Sequence, residues 1–166
     1  AAGGGNFKQE TKVTDVKVVL SDGKEYPAKV VLRDKDLDLA FVRPDEAGLK
    51  LPCLKLAKAP APEVLEPVIG ITRLDRAANR EPAVMTGQIM SIIKKPRVRY
   101  VTMTLVDTGC PIFDKQGRVL GLSLMRQGTA DISGTFSLMG FMPSVLPCED
   151  ILEAAGQVPA ANAAKE

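Results

Sequence analysis

Asp107-Thr-Gly-Cys-Pro-Ile-Phe-Asp-Lys-Gln-Gly-Arg-Val-Leu-Gly-Leu122 opens on a loop, Asp107 to Pro111, and then alternates between apolar runs and a turn. Ile112-Phe113 is the first run, and Val119 to Met125 is the second. Between them, Asp114-Lys115-Gln116-Gly117 has the residues of a tight turn, an aspartate and a glycine free to take positive φ. The pattern predicts strand, turn, strand.

Upstream of this stretch the same grammar repeats. Val68-Ile69-Gly70-Ile71 opens a strand, Arg73 to Pro82 is a polar loop, and Val84 to Ile93 is a strand bearing Gly87. Lys94-Lys95-Pro96-Arg97 is a turn, and Val98 to Val106 is a strong strand. Downstream, Gln127 to Gly134 is a polar excursion, and Thr135 to Met142 is the last strand, stopped by Pro143. One helix is expected. Ser144 to Leu146 lead in, Pro147 suits a first helical position, Glu149 and Asp150 complement the dipole, and Gly156 caps the end. The tail 159–166 reads as disordered.

Further upstream, Ala1 to Glu10 reads as a flexible lead because Gly3-Gly4-Gly5 does not hold regular structure cheaply. Val16, Val18 and Leu20 alternate with the period of a half-buried strand. Ser21-Asp22-Gly23-Lys24 is a turn, and Tyr26 to Arg33 is the returning strand of a hairpin. Asp34 to Asp38 is a charged corner, followed by the short strand Leu39 to Val42 and then Pro44. Leu49 to Leu56 is extended, and 57–67, with three prolines, reads as a linker. The expected organisation is a first unit over 11–56, this linker, and a second unit with the helix over 68–158.

Composition narrows the function. The chain has 166 residues, 22 basic against 20 acidic, and no histidine. A formal charge of +2 gives no global pull toward nucleic acid or a membrane surface, and no apolar run is long enough for membrane insertion. The absence of histidine excludes His-ligated zinc and a histidine general base from within this chain. Cys53, Cys110 and Cys148 are far apart and lack metal spacing, so no metal or cofactor is expected. Three buried thiols is the favoured state, with one bridge plus a free thiol as the alternative. The six methionines read as adaptable core filling, and Arg73, Arg76, Arg80, Lys94, Lys95, Arg97 and Arg99 as solvated edges rather than one basic face.

Four pieces in order resemble trypsin-like proteases of the HtrA type. They are the hairpin and Asp-Leu-Ala stretch of residues 20–42, Gly87-Gln-Ile-Met-Ser-Ile92, residues 107–122, and Gly140-Phe-Met-Pro143 with its helix. Together they span roughly residues 13 to 158. The resemblance implies an all-β, trypsin-like double β-barrel, here with the first barrel incomplete and a short C-terminal helix. It places Asp38 on the family's catalytic acid. A surface hairpin with a capping aspartate is the competing reading of that residue. Aligned on Pro111, Thr108 falls on the nucleophilic serine, and Gly109 and Cys110 fall on the two glycines of the oxyanion loop.

The departures carry the functional expectation. The resemblance places the family's histidine upstream of Ala1 to Gly5. Threonine is a stiffer, bulkier nucleophile than serine and still needs a base. Cys110 puts a Cβ into the oxyanion turn. As a thiol it lies two positions late for a nucleophile, has no histidine beside it, and is expected to be structural. The expected function is a catalytically degenerate peptidase domain that binds an extended peptide or protein segment. The alternative is a piece of an active serine- or cysteine-type endopeptidase with its histidine upstream. Open strand edges would favour self-association, and the family's habit implies export.

Overall fold

A computed structural model describes residues 13, 15–104, 107–127 and 141–160, with the backbone alone at 126, 127, 141 and 142. Among the described residues, nine strands and one helix follow in chain order. Strands β1 (Lys17–Val19), β2 (Glu25–Asp34) and β3 (Leu39–Pro44) form an antiparallel sheet in that order. Strands β4 (Pro67–Arg73), β5 (Pro82–Ile93), β6 (Arg99–Thr102), β7 (Pro111–Asp114), β8 (Val119–Gln127) and β9 (Phe141–Pro147) close into a barrel in the order β4-β5-β6-β9-β8-β7. Helix α1 (Cys148–Ala155) follows β9 directly. The described residues thus form a nearly all-β fold of one complete barrel and one open sheet.

The barrel has its own interior. Val68, Ile89, Tyr100, Ile112, Leu120 and Val145 meet inside it, all buried. The open sheet has no such centre. Its Leu37, Leu39 and Phe41 pack instead on the outer side of β8 and β9, against Leu122, Leu124 and Leu146, and against Ile151 and Ala154 of α1. Gly121 lets β8 run this close to β9, because a Cβ there would strike the Leu146 carbonyl oxygen.

Polar ties fix the ends. Asp114 is 1% exposed and takes hydrogen bonds from the Gln116 and Arg118 amides at 2.9 Å each and from the Arg118 guanidinium at 2.6 Å. Burial alone would raise its carboxyl. The Arg118 and Gln116 hydrogen bonds outweigh burial and hold it below the ordinary aspartate range. Arg99 of β6 pairs with Asp150 of α1 at 3.1 Å, and the Arg43 guanidinium reaches the Pro159 carbonyl.

Several expectations are corrected. The last strand is Phe141–Pro147, and Pro143 does not stop it. β6 pairs only with Ser144 and Val145, so Pro143 and Pro147 lie where the strand is paired on the β8 side alone and a missing donor is tolerated. Ser144 to Leu146 are thus strand rather than helix lead-in, and Pro147 is the N-cap. Gly156 ends α1 with φ −63°, an ordinary helical value rather than a left-handed cap. β6 is shorter than Val98 to Val106, ending at Thr102. Positions 1–12, 14, 105–106, 128–140 and 161–166, which hold the flexible lead, most of the expected Thr135–Met142 strand and residues 161–166 of the 159–166 tail, lie outside the described residues. Met85, Met90, Met103 and Met125 are exposed rather than core. Cys53 is exposed, Cys110 half-buried and Cys148 buried, all as free thiols, so the three-buried expectation fails at Cys53.

Candidate functional site

The loop between β6 and β7 is pinned to β8 by one serine. Asp107 to Cys110 make a turn in which the Cys110 amide donates to the Asp107 carbonyl at 3.3 Å. Gly109 holds φ +85°, the value a type II turn requires at this position. The Gly109 amide donates to the Ser123 carbonyl at 2.7 Å, and the Ser123 amide donates to the Cys110 carbonyl at 2.8 Å. The Ser123 hydroxyl accepts the Cys110 amide at 3.0 Å and donates to the Asp107 carbonyl at 2.5 Å. Both turn amides thus end inside the protein.

A second network ties the loop to β4. The Cys110 thiol donates to the Thr72 hydroxyl at 3.4 Å, and that hydroxyl donates to the Asp107 carboxylate at 3.0 Å. The Cys110 thiol is thus one member of a hydrogen-bonded chain from the loop to β4. Thr108 sits at the exposed outer corner of the turn, and its side chain makes no hydrogen bond among the described residues. The structure therefore gathers Thr108, Gly109 and Cys110 on one loop.

Asp38 is not part of that gathering. It is exposed at the end of the β2–β3 turn with φ +57°, and no hydrogen bond or ion pair among the described residues joins it to the loop. The capping role weighed for Asp38 falls to Asp34, whose carboxylate accepts the Asp36 amide at 3.0 Å and the Leu37 amide at 2.9 Å.

Beside the loop the barrel opens. A cleft of about 450 Å³ lies at this mouth, lined by Thr72, Leu74, Met85, Asp107, Met125 and Pro143 among others. The β7 ladder stops at Gly70 on β4 and at Leu122 on β8. Beyond those points Ile71 to Arg73 pair only with β5, and Met125 to Gln127 only with β9, among the described residues. The mouth therefore combines an apolar lining with unpaired strand edges. No group of three or more metal-ligating side chains comes together among the described residues.

Sequence reasoning missed Thr72, Ser123 and the two cleft methionines. Ser123 had a signal, a polar residue inside the apolar run Val119 to Met125. Thr72 had none, since its partners lie 35 and 38 residues away. Arg73, Arg76 and Arg80 lie at one end of β5 and Lys94, Lys95 and Arg97 at the other, while Arg99 is buried against Asp150.

A closed antiparallel barrel, an open companion sheet packed on its flank and a terminal helix define a chymotrypsin-fold peptidase domain. The model of the trypsin-like peptidase domain family matches residues 3–122, and the chain belongs to that family. Among solved structures it is similar to the MamO protease domain of Magnetospirillum magneticum in its apo form, at 17% identity and a TM-score of 0.59. That match covers 82% of this chain and 72% of the other. It is also similar to Rv3671c of M. tuberculosis H37Rv, crystallised as a serine-to-alanine mutant in an inactive form, at 19% identity and a TM-score of 0.61. There the coverage is 91% of this chain and 73% of the other. No curated protein matches the chain.

Proposed function

We propose that this chain is a catalytically degenerate, HtrA-like peptidase domain that holds an extended peptide or protein segment at the mouth of its barrel. The observation that carries the reading is the fate of the nucleophile loop. Its Gly109 and Cys110 amides are consumed by Ser123 and Asp107, and its Thr108 has no basic partner. Asp38 has no histidine to orient, because the chain contains none. Binding needs neither group. An added strand gains main-chain hydrogen bonds from a free edge, and apolar contacts select its side chains. The exposed Met85 and Met125, with flexible and polarizable side chains, suit apolar residues of varied shape.

The second reading is a piece of an active endopeptidase whose histidine is supplied upstream. It has in its favour that this chain spans only 72–73% of the protease domains it resembles. Labelling with a fluorophosphonate probe, read by intact mass, separates the two. The degenerate domain leaves Thr108 and Cys110 unlabelled in this chain and in the full parent protein. Label on either residue in the parent establishes the endopeptidase. A titration with extended apolar peptides then tests binding, and Met125→Asp should weaken it about tenfold, near 1.4 kcal/mol. Failure of every such peptide to bind at millimolar concentration would remove the binding role.

A further inference from the structure

The outer side of β4 and β5 departs from the usual rule that a solvated antiparallel sheet is polar outside. Val68 and Gly70 point inward and are buried, so Pro67, Ile69 and Ile71 point outward. The register sets Ile71 beside Val84, Ile69 beside Thr86 and Pro67 beside Gln88. The pairing runs on into the preceding turn. Leu65 donates to the Ile89 carbonyl at 2.7 Å, and the Ile89 amide donates to the Glu66 carbonyl at 3.0 Å, which brings Leu65 beside Met90. Leu65 is 69% exposed and Val84 63%, and Met90 and Ile71 are also exposed. Leu65 holds φ +71°, a left-handed conformation that costs a large side chain. A strained leucine thus stands in water at one end of a largely apolar stripe, Leu65 to Ile71, about 20 Å long at about 3.3 Å per residue.

The two ends of the stripe differ in charge. Glu63 and Glu66 flank Leu65. The far end carries Arg73, Arg76 and Arg80 against Asp75 and Glu81. Each end holds a carboxylate that accepts a backbone amide, Glu66 from Glu63 at 2.9 Å and Asp75 from Ala78 at 3.0 Å, and the net charge is −2 at the Leu65 end against +1 at the far end. A stripe that is apolar in the middle, acidic at one end and basic at the other is complementary to its own two-fold copy. Rotation about an axis near Ile69 lays the glutamates of one copy on the arginines of the other.

We propose that a second copy of this chain covers the β4–β5 outer face in a reversible, isologous dimer. The stripe is two strands wide, which places the contact among weak interfaces. It differs from edge-to-edge association, because strand faces meet and β1 and β3 take no part. It leaves Thr72 and Met85 of the mouth uncovered, since they point to the opposite side of the same strands from Ile71 and Val84, and it borders the mouth at Arg73 and Asp75.

Sedimentation velocity across a concentration series from about 5 to 500 μM reads the association. The expected result is a monomer–dimer equilibrium that Val84→Glu weakens at least about tenfold. Leu65→Gly should weaken it too while keeping or raising the melting temperature, because glycine accepts the left-handed φ. That variant separates association from folding. Glu63→Arg should weaken the dimer, and adding Arg76→Glu should restore it. Val42→Glu, on the exposed side of β3, should leave it unchanged. A monomer at every concentration overturns the proposal. So does an association that Val42→Glu abolishes and Val84→Glu and Leu65→Gly leave intact.

Discussion

The barrel and the open sheet are built from the same kind of strand but reach stability differently. The barrel closes on itself, and its core residues touch one another from every wall. The sheet has two edges and buries only Leu37 fully, against a surface that β8, β9 and α1 provide. Closure removes edges and lets each strand contribute to one shared interior. The sheet depends on the barrel, while the barrel's own core contains no sheet residue. The candidate site follows the same division, with Thr108 to Cys110 held on the barrel and Asp38 left exposed on the sheet.

Gly121→Ala should test that dependence most severely. The added methyl forces β8 and β9 apart at the strand pair that supports both cores, at a cost of about 3 kcal/mol. Thermal unfolding should then show loss of barrel and sheet together. Next in size is a matched pair of truncations. Ile112→Ala, inside the barrel, should cost about 2–3 kcal/mol, and Leu37→Ala, in the shared cluster, about 2 kcal/mol. Hydrogen exchange gives the sharper reading. Leu37→Ala should speed exchange in β2 and β3 and spare the barrel, whereas Ile112→Ala should speed both. Equal protection losses everywhere would mean that the two regions unfold as one unit.

Acid should find the barrel first. Asp114 has a lowered pKa in the folded state, so its ionised form stabilises the fold. That contribution is complete above the unfolded value near 3.9 and is withdrawn as pH falls through the lowered folded value. Asp114→Asn should cost about 2 kcal/mol at neutral pH and flatten the stability profile below about pH 4.

The strand pattern was legible almost throughout, because period-two alternation and Gly- or Asp-bearing turns are local signals. It failed at Pro143, read as a stop, and at Pro147, read as a first helical position, both of which lie in β9. Whether a strand tolerates proline depends on which edge is paired, and that is settled by β6, more than forty residues earlier. The methionines misled for a related reason. Strand residues look alike in sequence, whether they face the core, the mouth or water. The turn that carries Thr108, Gly109 and Cys110 was legible as a loop, but Ser123 and Thr72 were not, since the bonds that pin the loop run between distant strands.

The smallest effects belong to this loop. Ser123→Ala should cost about 1 kcal/mol, leaving the Cys110 amide with only its 3.3 Å bond, and should loosen residues 107–110 in hydrogen exchange. Thr108→Ala should change stability by less than about 0.5 kcal/mol, as expected of an exposed turn corner. A larger loss at Thr108 than at Ser123 would reverse the assignment of which residue holds the loop.

The cluster that joins sheet to barrel links Leu37 to Ile151, at opposite ends of most of the chain. On a ribosome this becomes a waiting time. The sheet emerges early, and the helix that covers Leu37 is made more than a hundred residues later. At about 5–20 residues per second, its apolar side waits roughly 6–20 s for a partner. Nascent chains should therefore depend on holdase chaperones over that interval, and slowing translation between β3 and β9 should lower the yield of folded protein more than slowing it after α1.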